Sequence, residues 1–313
     1  MKRAFVFPGQ GSQAPGMGRE LAEAFTAARL LFEEVDDALS QHLSRLMFEG
    51  PESDLKLTEN AQPALLAASL AVIRVLESEA GFDLARQVAY VAGHSLGEYS
   101  ALAAARALSV ADAARLVKRR GVAMQKAVPV GDGAMAALLG LEMDEVRAIA
   151  AEAAGSGVCD VANDNCPGQI VVSGSAAAVE RAVALAAARG SRRSIMLPVS
   201  APFHCRLMAP AAEIMADALN EVAWAKPVVP LVANVTARPT TDIDEIRELL
   251  VEQVTRMVRW RETVLLFKDN EVEEVVEIGT GKVLAGLVRR IDRELAVISV
   301  GTPAEAEQLM KRL

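Results

Sequence analysis

The chain has 313 residues, with 33 Lys+Arg against 41 Asp+Glu and a formal net charge of −8. That balance excludes a protein with the broadly basic face of a nucleic-acid binder, while leaving room for a local basic patch. A hydrophobic fraction of 52% with only 4% aromatics points to an α/β core of Ala, Val and Leu, in about two domains or one domain carrying an insertion.

From the start, Met1-Lys2-Arg3 runs almost at once into Pro8-Gly9-Gln10-Gly11, so no apolar leader is expected. Phe5-Val6-Phe7 reads as a short buried strand stopped by Pro8-Gly9. Helical spacing follows over 20–39 and, after the Gly50-Pro51 break, over 63–79. The most apolar helical stretch, 61–76, is interrupted by Gln62, Pro63, Ser69 and Arg74, and falls short of the ~20 residues that a membrane span requires. Cys159, Cys166 and Cys205 form no Cys-x-x-Cys pair and no disulfide framework. A soluble, reduced, cytoplasmic protein is the expectation, with no contact to membrane.

Next comes a buried strand over 88–92, running into Gly93-His94-Ser95-Leu96-Gly97, and helical spacing from Glu98 through Tyr99, Leu102, Ala103 and Ala107. Another helix spans 110–126, closed by Pro129-Val130-Gly131-Asp132-Gly133. The rhythm then changes: strand 134–139, helix 142–154, strands 158–162 and 170–173, helix 176–188, strand 194–199. That βαββαβ order is the ferredoxin-like unit. It predicts a small domain, 129–198, inserted into a larger α/β core formed by 1–128 and 199–313. The outer pattern resumes with helix 210–222, strand 228–234, helix 244–258, strand 275–278, helix 284–294 and strand 296–300. Strands alternating with helices imply a mostly parallel sheet.

Two glycine motifs fail as nucleotide sites. Gly9-Gln10-Gly11 is followed by Gly16, not by a glycine at position 14, so it misses the dinucleotide fingerprint. Gly279-Thr280-Gly281-Lys282 lacks the upstream spacing of a phosphate loop, and Val283 stands where a Ser or Thr would hold magnesium. Both read as tight turns after strands.

Gly93-His94-Ser95-Leu96-Gly97 is a Gly-x-Ser-x-Gly sequence. Alone it is a weak pattern, and Ser95 could simply cap a helix. Placed between a strand and a helix it reads as a nucleophile elbow, with the helix N-terminus aimed at a developing oxyanion. A serine nucleophile needs a base, and only three histidines exist. His42 sits among Ser40, Gln41 and Ser44 as a surface group, and His94 should point away from its neighbour Ser95. His204, in the loop Ser200-Ala201-Pro202-Phe203-His204, remains as the base. Asp160 and Asp164 lie between serine and histidine in chain order, but nothing marks either as the orienting acid.

In the helix over 110–126, Arg120 falls on the apolar stripe of Ala113, Leu116, Val117 and Met124. A guanidinium there needs a partner: a structural carboxylate on one reading, a substrate carboxylate held by bidentate hydrogen bonds on the other. Gln253, among Ile246, Leu249, Leu250, Val254 and Met257, either bonds nearby backbone or reaches the cleft.

Several segments together resemble one family. Phe5-Val6-Phe7-Pro8-Gly9-Gln10-Gly11-Ser12-Gln13, Gly93-His94-Ser95-Leu96-Gly97-Glu98, Asn165-Cys166-Pro167-Gly168-Gln169, Ala201-Pro202-Phe203-His204 and Glu277-Ile278-Gly279-Thr280-Gly281-Lys282-Val283-Leu284 are similar to motifs of malonyl-CoA:acyl carrier protein transacylases. They run in family order along nearly the whole chain, with Thr280 where the family often has proline. The resemblance implies a hydrolase-like α/β core with a ferredoxin-like insertion. It implies Ser95 as nucleophile, His204 as general base and acid oriented by backbone carbonyls, and Arg120 on the malonyl carboxylate. Gln253 would lie near His204, the backbone N–H groups of Gln10 and Leu96 would form the oxyanion hole, and Phe203 would belong to a loop that varies with the acyl group.

The implied activity is malonyl transfer from malonyl-CoA to the phosphopantetheine thiol of acyl carrier protein through a malonyl-serine ester, in fatty acid biosynthesis. It needs no metal or other cofactor, and a monomer is expected. The rivals are a thioesterase or esterase, a non-catalytic scaffold, and a sibling acyltransferase serving polyketides. All the implied partners are anionic, so positive charge must gather locally; Arg189, Arg192, Arg193, Lys282, Arg289 and Arg290 are the candidates for an outer patch.

Overall fold

The computed structural model describes residues 1–313. Ten strands form two sheets: β1 (Arg3–Phe7), β2 (Tyr90–Gly93), β3 (Gly133–Leu139), β4 (Cys159–Cys166), β5 (Gln169–Ser175), β6 (Arg193–Met196), β7 (Leu231–Val232), β8 (Pro239–Thr240), β9 (Glu274–Ile278) and β10 (Ala296–Val300). The larger sheet has the order β10-β9-β1-β2-β7-β8 and is parallel except for β8, which pairs antiparallel with β7. The smaller one, β4-β5-β3-β6, is antiparallel throughout. Its strands, with the helices Met143–Ala154 and Ala176–Ala188, make the ferredoxin-like βαββαβ unit, so the fold is an α/β hydrolase-like core with that unit inserted.

β1 lies at the centre of the large sheet, with Phe5 opposite Val91 of β2 and Val276 of β9. All five of its residues are buried, because a central parallel strand is covered on both faces. Its side chains alternate accordingly. Phe5 and Phe7 enter the main core beside the helix Thr58–Ala80, and Ala4 and Val6 enter a second core with Trp260 and Phe267.

The helix Thr58–Ala80 has 23 residues and begins five residues before Pro63. It is thus longer than the 61–76 stretch suggested, and by length and composition alone it could cross a membrane. Its apolar window is 83% buried inside the protein, where it serves as the core's central helix.

The small sheet is stitched to the core. Val258 pairs with Asn163 of β4 as an isolated bridge, Asp164 N donates to the Val258 carbonyl, and Val258 N donates to that of Ala162, both at 2.9 Å. Asp160 holds Arg206 and Asp164 holds Arg261. These ties bring the antiparallel sheet over the carboxyl ends of β1 and β2, the usual crevice of a parallel sheet.

Candidate active site

The chain leaves β2 through Gly93 and enters the helix Gly97–Ala104 in four steps. Ser95 stands at the apex with φ +56°, a strained conformation for a residue with a side chain. The flanking glycines make this turn possible. A Cβ on Gly93 would lie 1.8 Å from the Gly97 carbonyl carbon, and one on Gly97 would lie 2.2 Å from the Phe7 oxygen.

His204 arrives from the loop after β6, also at positive φ, +57°. Its Nε2 is 2.8 Å from Ser95 Oγ, and its Nδ1 is 2.8 Å from the backbone oxygen of Gln253. A carbonyl can only accept, so Nδ1 carries the hydrogen and Nε2 is left to receive the serine proton. Burial, reinforced by the nearby Arg120 charge, pushes the imidazole down to about 3. The ring is therefore neutral at physiological pH. Asp160 and Asp164 are spent on Arg206 and Arg261, so no carboxylate touches the imidazole. His94 turns to Asn165, with Nε2 2.9 Å from Oδ1, and burial lowers its pKa.

Arg120 is 1% exposed. It donates to Gln62 Oε1 at 2.9 Å, Gln253 Oε1 at 2.8 Å and Ser95 Oγ at 3.0 Å, all of them neutral oxygens. Its Nε has no partner, and the Tyr99 ring lies 5.8 Å from its guanidinium carbon. Of the two readings of Arg120, the structural ion pair is not what the fold contains.

A cleft of about 410 Å³ collects these groups. Ser95, His204, Arg120, Gln10, Leu96 and Phe203 line it, together with Gln62, Met124, Met135 and the Leu197-Pro198-Val199 segment. The backbone N–H groups of Gln10 and Leu96 are used in no hydrogen bond within the chain. Gln253 is fully buried beneath the cleft floor rather than lining it, and reaches the site through its hydrogen bonds. No group of three or more His, Cys, Asp or Glu side chains is placed to hold a metal ion.

The sequence matches the acyl transferase domain family over residues 4–303. The chain belongs to that family. This acyl transferase is 46% identical to the malonyl CoA-acyl carrier protein transacylase of Bacillus subtilis (strain 168), over 100% of its own length and 97% of the relative's. It is 44% identical to the protein of the same name from Escherichia coli (strain K12), with 96% of each chain covered. Among solved structures, the acyl-carrier-protein-S-malonyltransferase of Bartonella henselae superposes with a TM-score of 0.97 at 54% identity, covering 100% and 99% of the two chains. PlMCAT, a malonyl-transacylase solved in complex with the type II PKS acyl-carrier protein AntF, gives 0.96 at 40% identity with both chains covered in full.

In this acyl transferase two residues that pattern reading passed over hold the elbow in shape. Asn234, just after β7, accepts from Ser95 N at 2.8 Å and donates through Nδ2 to the Gly93 oxygen at 2.6 Å. Glu98 accepts from Asn234 N at 2.8 Å through one oxygen and from Gln253 Nε2 through the other. Burial pushes its carboxyl up to about 7, against the pull of those two donors and Arg120. Of the outer basic residues, Arg189 is paired with Glu152 and Lys282 with Glu305, Arg290 donates to Gln169, and Arg289 donates to the Val297 carbonyl. Arg192 and Arg193 are exposed at the start of β6, whose far end leads to Leu197 in the cleft wall.

Proposed function

We propose that the chain transfers a malonyl group from malonyl-CoA to the phosphopantetheine thiol of an acyl carrier protein, as a cytoplasmic monomer in fatty acid biosynthesis. The observation that carries this is Arg120, a buried cation on neutral partners, 3.0 Å from the nucleophile oxygen. A guanidinium so placed suits an acyl group that ends in a carboxylate. The names of the relatives, and a neighbour solved with its carrier protein, support the same donor and acceptor. The three free buried cysteines suit a reducing compartment.

In the first half-reaction His204 Nε2 takes the proton of Ser95 as Oγ attacks the thioester carbon. The carbonyl oxygen gathers negative charge beside the N–H groups of Gln10 and Leu96. The C–S bond breaks, the imidazolium returns its proton to the CoA sulfur, and a malonyl-Ser95 ester remains. In the second, the carrier thiol gives its proton to His204 and attacks the ester, and Ser95 leaves with the proton restored. Arg120 holds the malonyl carboxylate throughout. That pairing also offsets the Arg120 charge, which adds to burial in holding the His204 imidazole down, so the proper substrate makes its own base more basic. Acyl transfer involves no net oxidation, and the residues in place supply proton transfer and charge stabilisation without a resident cofactor. Phe203 forms the wall that the acyl group meets.

Intact-mass spectrometry tests the reading. Malonyl-CoA should add one malonyl group to the protein and none to Ser95→Ala, and holo acyl carrier protein should remove it. A labelled Ser95→Ala variant defeats the assignment. An adduct lost to water as fast as to the carrier makes the chain a thioesterase.

A further inference from the structure

Glu98 is the one acidic group next to Ser95 that acyl transfer, as derived above, does not use. It occupies the first turn of the helix Gly97–Ala104 and is 2% exposed. Its hydrogen-bond partners, Asn234 N and Gln253 Nε2, are both N–H donors, which fits a carboxylate and offers a carboxyl proton nowhere to go. No Lys or Arg bonds it directly; Arg120 is reached only through the Gln253 amide.

Those two partners reach the elbow, Arg120 and His204. Asn234 brackets the elbow through Ser95 N and the Gly93 oxygen. Gln253 receives Arg120 on Oε1, donates through Nε2 to the Ser95 backbone oxygen, and presents its own carbonyl to His204 Nδ1. Arg120, the Gln253 amide and Glu98 thus form a line, cation to dipole to anion, in which each hydrogen bond polarises the next.

We propose that Glu98 is a positioning residue that fills the place of the absent triad acid, acting through Gln253 and Asn234 on the histidine, the serine and the arginine without touching the imidazole. The proposal rests on the acyl-transfer reading. Glutamine at this position keeps the volume but turns an NH₂ group against one of the two donors. Gln253 must then rotate or lose a bond, and the carbonyl and amide that aim His204 and Arg120 shift with it.

The test is a double-mutant cycle read by single-turnover acylation with malonyl-CoA. Glu98→Gln is expected to lower the acylation rate at saturation by about 10²-fold, the scale of a catalytic group misplaced by ~1 Å, while KM changes by less than about threefold. Gln253→Ala should show a loss of similar size. The double variant should be no more than about threefold slower than the worse single one, because both act on one network. Glu98→Asp, which keeps the charge, should recover at least about tenfold of the Glu98→Gln loss; should Glu98→Gln fail to fold, Glu98→Asp enters the same cycle. Losses that multiply in the double variant, or a Glu98→Gln protein as fast as the wild type, overturn the role. A wild type that takes up no malonyl group overturns the acyl-transfer reading and this role with it. A wild type that acylates beside an unimpaired Glu98→Gln overturns this role alone.

Discussion

After β2 and again after β9 the chain makes the same move: a parallel strand ends in a glycine-bounded turn and a helix begins. At the first turn the Leu96 N–H is left free and Ser95 Oγ faces the cleft. At the second, the amides of Leu284 and Ala285 each bond to the Glu277 carboxylate at 2.9 Å, and Ser299 Oγ adds a third bond at 3.0 Å. The anion site that a helix N-terminus offers is thus filled by the chain itself. Lys282, which imitates a phosphate-loop lysine in the sequence, turns instead to Glu305 at 3.0 Å. Glycine spacing decides where the backbone can turn. Whether the turn becomes a site depends on what already occupies the helix end.

The largest effect expected from breaking this contrast is at Gly97. Gly97→Ala drives a methyl group into the Phe7 carbonyl at 2.2 Å, a backbone clash that nothing can step aside to relieve. Acylation should fall by more than about 10³-fold, the scale of losing the nucleophile's geometry. At the second turn Gly281→Ala meets only the Ser12 side chain, at 3.0 Å, with φ +92°; it should cost about 1–2 kcal/mol in urea unfolding and leave the acylation rate unchanged. Arg120→Ala comes next. Malonyl transfer should drop by about 10²-fold or more, as when a buried charge-assisted bond is removed, and acetyl transfer by far less. Equal losses would make Arg120 a scaffold residue.

Glu277→Gln should do the reverse of the elbow variants. It weakens the self-made cap, lowering the unfolding free energy by about 1–3 kcal/mol, with acylation within about twofold. A slowed reaction in a stable protein would place the second turn in the mechanism after all. The smallest effect is a matter of slope. His204 titrates near 6.5 when unfolded but at about 3 when folded, so the unfolded chain binds more protons and stability rises with pH between those values. Glu98 titrates near 4.5 unfolded and at about 7 folded, so its contribution falls as pH rises between them. Over pH 4.5 to 6.5 the two oppose each other. Glu98→Gln removes the falling one, and urea midpoints of the variant should climb more steeply across that window than those of the wild type. Parallel curves would mean that the buried Glu98 is already ionised at pH 4.5.

What could be read from the sequence follows from how local its cause is. β1 was legible because a strand covered on both faces carries an apolar run, here Phe5-Val6-Phe7. β9 was legible from its Val275-Val276 pair and Ile278 before a glycine turn, although Glu274 and Glu277 are buried in it. Ser95 was legible from its glycines, His204 from the shortage of rivals, and Arg120 because a cation interrupts an apolar stripe. The helix expected over 20–39 is instead two, Arg19–Ala24 and Thr26–Leu39, parted at Phe25 in an extended conformation that no glycine or proline announces. The strand expected over 228–234 shrinks to Leu231–Val232, since Pro230 has no N–H to give and Asn234 is drawn off to the elbow. Trp260–Asp269 and Pro303–Met310 are helices that pattern reading left out. Glu98 looked like any acid in a first helical turn, and Asn234 like the end of a strand. Their role exists only where they meet, 136 residues apart in the chain.

Arg120 also sets a limit on how stable the free protein can be. Natural folds keep their local interactions mutually consistent, yet here a guanidinium is buried at the cleft wall with one nitrogen unbonded and no anion bonded to it directly. An apolar side chain of equal length would sit there more comfortably. Under the proposed function the fold tolerates this local frustration where an anionic guest would be recognised, so selection for substrate affinity and selection for rigidity would pull the same side chain in opposite directions.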